Sequence, residues 1–164
     1  TVGGQPEVIN YTATADGTVV KRMNDAKLTP LERFLNAAPG AAGIAFDGLY
    51  LWTLDARAKI LRKHLLDASL TVVASYRAPG LKPEALVWDG AALWTLDAGD
   101  RLLRRHNLER PEEFLAAIPL PEYGDGIFLP TGLAWDGERF WSVAERRDGK
   151  GPARLYRHGV EGAR

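Results

Sequence analysis

Three segments of this chain are built on one pattern: Gly-Ile-Ala-Phe-Asp-Gly at 43–48, Ala-Leu-Val-Trp-Asp-Gly at 85–90 and Gly-Leu-Ala-Trp-Asp-Gly at 132–137. Their aromatic positions, Phe46, Trp88 and Trp135, lie 42 and 47 residues apart, and a tryptophan follows each six residues later, at Trp52, Trp94 and Trp141. Twelve residues beyond Trp52 and Trp94 stand His64 and His106, and 17 beyond Trp141 stands His158. A fourth, partial copy opens the chain, with Tyr11 at the tryptophan position and Val19–Met23 in place of the histidine-ended run, Met23 taking the histidine position. A chain that repeats itself at a period of 20–50 residues must build one supersecondary unit several times and stack the copies. The units run approximately over 1–40, 41–80, 81–130 and 131–164.

Each unit reads as strands. Asp-Gly between two apolar runs is a hairpin signal, and a type I′ turn predicts positive φ at both residues. Gly43–Phe46 and Tyr50–Leu54 therefore pair about Asp47-Gly48, with the other copies alike. Ile60–Lys63 supplies a third strand and Thr71–Tyr76 a fourth, before the break at Pro79-Gly80. Leu28–Ala37 and Pro111–Ile118 have some helical character but fall where fourth strands belong. Four antiparallel strands per unit make a blade, and the fold class is an all-β β-propeller. It has about four units, two complete and two partial. The first lacks a convincing innermost strand and the last ends at Arg164 without an outer one. Either a small ring closes on itself, or an arc is completed by another chain or by further sequence.

The run Gly-Leu-Ala-Trp-Asp-Gly, Phe-Trp-Ser-Val-Ala, Leu-Tyr-Arg-His resembles blades of bacterial envelope propellers of the NHL, SMP-30 (lactonase-like) and glutaminyl cyclotransferase-like kinds. The resemblance covers most of the chain and rests on blade-building residues, so it speaks to fold before activity. It implies a periplasmic or extracellular location. Lactonase-like propellers hold a divalent metal at the axis with Glu, Asn and Asp from inner strands. Here the inner strands are almost wholly apolar, with Glu84 near one entry, while Asn10, Asn24, Asn36 and Asn107 lie elsewhere.

Charge narrows the function further. The 164 residues carry 21 Lys+Arg against 21 Asp+Glu, leaving no basic excess to neutralise nucleic-acid phosphates. No apolar run is long enough for a membrane-spanning helix. The absence of cysteine excludes disulfides, thiolate metal sites and thiol nucleophiles.

Among residues able to do chemistry, Asp47, Asp89 and Asp136 each precede a turn glycine and read as turn formers. Asp55 and Asp97 follow the second strand, where a carboxylate accepts turn N–H groups; Glu145 stands at or just past that position. The three histidines recur at one outer-strand position. Sheets stacked about 10 Å apart hold them too far from one another to share a zinc. Ser142 matches Thr53 and Thr95 and is a repeat residue, and no nucleophile elbow or phosphate loop is present. No catalytic residue, metal or cofactor is assigned.

Breaks in the repeat point to a site, because binding residues gather on loops held by a rigid frame. Two insertions of five residues stand out, in 119–130 and in 145–152. In a propeller these connections emerge on one face, beside the central opening. Tyr123 and Phe128 are expected there as apolar contacts, with Glu122, Asp125, Glu145, Arg146, Arg147 and Lys150 as polar ones. The leading reading is a non-catalytic scaffold that binds a protein partner or a small or extended ligand on this face. The alternatives are an enzyme of lactonase or glutaminyl cyclotransferase type, and an assembly subunit, as a homodimer or a ring completed by another chain.

Overall fold

The computed structural model describes residues 9–14, 16–35 and 37–162. They form four antiparallel sheets, each an up-and-down meander in chain order. Sheet I holds β1 (Ile9–Ala13), β2 (Val19–Met23) and β3 (Pro30–Phe34). Sheet II holds β4 (Ala41–Phe46), β5 (Leu51–Asp55), β6 (Ile60–His64) and β7 (Val72–Arg77). Sheet III repeats it with β8 (Pro83–Trp88), β9 (Leu93–Asp97), β10 (Leu102–His106) and β11 (Phe114–Pro119). Sheet IV comprises β12 (Phe128–Trp135), β13 (Arg139–Arg146) and β14 (Arg154–Glu161). The strand counts of three, four, four and three match those read from the repeat. The expected gap at the inner edge of the first unit falls on residues before Ile9, and Asn36 also lies outside the described residues.

The hairpin between the first two strands of each repeat is built differently from the expected type I′ turn. In the loop from Asp47 to Tyr50 only Gly48 has positive φ, +99°, and Phe46 pairs with Leu51. Gly48 is thus the first central residue, as in a type II′ turn, and Asp47 precedes the bend. Gly90 and Gly137 repeat this at +97° and +100°.

The inner strands pack face to face, β4 against β1 and β8, and β8 against β12. No packing of similar extent joins sheets I and IV among the described residues, so the sheets form an open arc. Three apolar layers fill the gaps. Val19 and Phe34 meet Leu51 and Leu70 between sheets I and II. Trp52, Leu54 and Leu61 meet Leu86 and Leu93 between sheets II and III. Trp94, Leu96 and Leu103 meet Tyr123, Phe140 and Ala144 between sheets III and IV. Burial of each large side chain is worth about 1.5–3 kcal/mol. The nearly apolar sequence of β5 and β9 follows from this: both faces are covered, and every residue of each strand is buried.

Register corrects one assignment in the first unit. Asn10 lies opposite Arg22, and Arg22 Nε donates to Thr12 Oγ1 at 3.1 Å. Arg22, rather than Met23, therefore occupies the histidine position of the other sheets.

Candidate binding site

The repeated carboxylates are structural clamps. Asp47 Oδ1 accepts the N–H groups of Leu49 (2.8 Å) and Tyr50 (2.7 Å), while Oδ2 accepts the indole N–H of Trp52 at 2.8 Å. Asp89 does the same for Ala91, Ala92 and Trp94, and Asp136 for Glu138, Arg139 and Trp141. The five-residue spacing of Asp and Trp thus places an indole donor over the carboxylate that closes its own hairpin. The Trp141 indole, followed by the two backbone donors, holds Asp136 down at about 2.

The histidines are enclosed rather than lying on an open rim. His64, His106 and His158 have relative exposures of 0%, 1% and 1%. His64 Nδ1 sits 2.9 Å from the Leu70 carbonyl and His106 Nδ1 2.7 Å from that of Pro111. A carbonyl only accepts, so Nδ1 carries the proton and Nε2 accepts from the hydroxyl on the neighbouring strand. Those hydroxyls belong to Thr53 (2.9 Å) and Thr95 (2.7 Å). Burial lowers both histidines, that of His106 to about 4, against the opposing pull of the Pro111 carbonyl.

A pH dependence follows. The unfolded chain binds a proton at His106 near the ordinary 6.5, whereas the folded chain resists until about 4. The unfolded state therefore holds more protons between these values, and stability present above pH 6.5 is lost as pH falls toward 4. From pH 7 to pH 5 this group alone costs about 2 kcal/mol. Urea unfolding of wild type and His106→Gln at both pH values should show a shallower loss in the variant; parallel losses would contradict the assignment.

Sheet IV varies the pairing. Ser142 replaces the threonine, 2.7 Å from His158 Nε2, and Glu122 Oε1 replaces the carbonyl, 3.3 Å from Nδ1. Tyr123 Oη lies 2.5 Å from Ser142 Oγ. With the proton of His158 on Nδ1, the bonds run Tyr123 to Ser142 to His158 to Glu122. The Ser–His–Glu order is that of a hydrolase triad, but Ser142 is fully buried and its oxygen also receives the tyrosine hydroxyl. The same strand positions carry the Thr–His pairs of sheets II and III, where they join neighbouring strands.

Several expected binding residues are therefore scaffold. Tyr123 is fully buried between sheets III and IV, its ring 5.4 Å from that of Tyr156. Phe128 is 5% exposed beneath the Arg154 guanidinium, 4.0 Å from its ring centroid. Glu122 is committed to His158. Glu145 lies on β13 in the alternation of Trp141 and Val143, on the sheet face turned away from sheet III. The carboxylate position of Asp55 and Asp97 is filled by buried Ala144.

Part of each insertion lengthens strands: β12, β13 and β14 have eight residues, against five or six elsewhere. The irregular connections shrink to 120–127 and 147–153. These two do meet. Arg147 N–H donates to the Ile127 carbonyl at 2.9 Å, continuing the ladder in which Phe128 faces Arg146. A 3₁₀ turn at Pro121–Tyr123 seats the first connection, and Asp125 Oδ1 closes its tip on Ile127 N–H at 2.9 Å. In the second, Asp148 pairs with Arg146 at 2.8 Å and accepts Lys150 N–H. Arg101, from the turn after β9, reaches across to the Gly124 carbonyl at 3.3 Å. Arg147 and Lys150 stay exposed, and Ile127 is 49% exposed. Ile127 was missed because sequence ranks an aromatic above an aliphatic as a contact; its place behind Asp125-Gly126 was the available signal.

No family model matches this chain, and no curated protein matches it. Solved structures do. Glutaminyl cyclase of Myxococcus xanthus superposes with a TM-score of 0.68 at 10% identity, over 92% of this chain and 69% of that one. A luciferin-regenerating enzyme gives 0.58 at 16% identity, over 94% and 62%. The WD40 β-propeller domain of Doa1 gives 0.53 at 13%, over 95% and 48%. The chain thus has the β-propeller fold, and it spans between about half and two thirds of these structures. At such identities the likeness concerns fold alone. No helix among the described residues is long and apolar enough to cross a membrane.

Proposed function

We propose that this chain is a single non-catalytic binding propeller domain, which recognises an extended segment of a protein partner at the mouth formed by connections 120–127 and 147–153. The observation that carries the reading is the Arg147–Ile127 backbone bond. It fixes two irregular connections edge to edge and leaves an exposed isoleucine beside Arg147, with Lys150 exposed in the same connection as Arg147. An apolar anchor beside cations suits a segment that alternates apolar and acidic residues, since the anchor supplies affinity and the charges register. Catalysis would need a convergent polar pair open to a substrate, and the Ser142–His158 and Thr–His pairs are enclosed. The resemblance to envelope propellers supports a periplasmic or extracellular setting.

Panning random displayed peptides against the folded chain tests this. Enriched peptides should be acidic and should bind the Ile127→Ser/Arg147→Ala variant about 10- to 100-fold more weakly, with an unchanged melting temperature. Peptides that bind both proteins equally would sink the proposal.

A further inference from the structure

The repeat carries a second instruction, written on the face that each sheet turns toward the next. In sheet II that face presents Trp52, Leu54 and Leu61, all at 0% exposure against sheet III. In sheet III it presents Trp94, Leu96 and Leu103, at 2%, 0% and 0% against sheet IV. Sheet IV repeats the trio as Trp141, Val143 and Leu155. Val143 lies opposite Leu155, as Leu54 lies opposite Leu61 and Leu96 opposite Leu103. Here the trio meets no further sheet among the described residues: Val143 is 41% exposed and Leu155 64%. A contiguous apolar face of this kind on a folded chain marks an interaction surface.

We infer that this face of sheet IV is an interface with a second copy of the chain, met face to face about a two-fold axis near Val143. Two features select that occupant and that symmetry. At the opposite end of the arc, β1 and β2 carry a polar network: Arg22 is bonded to Thr12, and Asn10 Nδ2 donates to Asn24 Oδ1 at 3.0 Å. A head-to-tail contact would bury those groups against the apolar trio and strip their hydration. The sheet IV face is, by contrast, complementary to itself. Arg157 lies opposite Trp141, its guanidinium 5.7 Å from the ring centroid, and Glu145 lies at the other end, beyond Val143. Half a turn about Val143 exchanges the two ends, so Glu145 of each copy meets Arg157 of the other while the apolar trios cover one another. An isologous contact requires this self-complementarity.

Light scattering after size exclusion, from low to high micromolar chain, tests it. The expected mass is twice 18.0 kDa. Leu155→Asp places like charges near the axis and should weaken the dimer by about 100-fold or more, with an unchanged circular dichroism spectrum. Glu145→Arg and Arg157→Glu should each weaken it by about tenfold, and the double exchange should restore it. The restoration remains readable if Leu155→Asp does not fold. A monomer at every concentration, a dimer indifferent to Leu155→Asp, or a double exchange weaker than either single one would each overturn the assignment.

Discussion

Asp97→Ala is expected to cost about 3–5 kcal/mol, a large part of the 5–15 kcal/mol that holds a domain of this size together. Asp97 is fully buried and each of its oxygens is engaged. Oδ1 accepts Gly99 N–H at 2.8 Å and Asp100 N–H at 3.0 Å, from the turn that leaves β9. Oδ2 accepts Lys82 N–H at 2.9 Å, from the connection that enters sheet III. Arg104 Nη1 lies 3.7 Å away, its side chain 7% exposed. One carboxylate therefore joins the entry of the sheet to its β9–β10 turn and balances a buried guanidinium. Truncation would leave three backbone donors unpaired and leave Arg104 with Asp100 alone. Asp55 is the control, because its carboxylate accepts one backbone N–H, from Ala58 at 2.8 Å, and a longer contact from Arg62 at 3.4 Å. Asp55→Ala should cost about 1–2 kcal/mol. Urea midpoints of the two variants decide the matter, and equal losses would show that the buried network is not the cause.

The same position explains why the mouth lies where it does. In sheet IV it is Ala144, so no carboxylate at the repeat position on β13 gathers the connection that follows, and that connection lengthened and is closed by its own Asp148. Sequence located the insertion but not the parts of it that became strand. An insertion of five residues reads alike whether it extends a hairpin by paired residues or opens a loop. The Asp-Gly and Trp positions were legible because each recurs for a reason internal to its own repeat. The histidines were legible as repeat residues, yet their enclosure was not, since it depends on a carbonyl several residues away and on a hydroxyl across the strand. Tyr123 and Phe128 were placed on the wrong side of the surface for a related reason. An aromatic residue in an irregular segment is read as exposed unless its partners are known, and those of Tyr123 are Ser142 and Tyr156, far along the chain. Arg22 was displaced by one because the first hairpin is tighter than its counterparts, a difference that only register reveals.

Gly43→Ala should force two strands apart, costing about 2–4 kcal/mol and more with valine. A Cβ on Gly43 would stand 2.7 Å from the Leu86 backbone nitrogen and 2.8 Å from its Cβ. Backbone cannot rotate out of the way as a flexible side chain can, so β4 and β8 would have to separate. The close approach follows from an irregularity repeated in β4, β8 and β12. Register shifts between Ala41 and Gly43, Pro83 and Ala85, and Pro130 and Gly132. Each bulge increases the local twist just before a small residue, turning the strand toward its neighbour at the point of closest contact. Gly132 is the internal control. A Cβ there would meet only Val143, at 3.8 Å, so Gly132→Ala should be neutral or stabilise by up to about 1 kcal/mol through the unfolded chain. In thermal melts Gly43→Ala should therefore fall well below wild type while Gly132→Ala stays level with it or rises above it. If Gly43→Ala melts with wild type, the inner strands are not set by steric contact. The curvature that brings connections 120–127 and 147–153 together would then need another source, namely the large side chains of the layers between sheets.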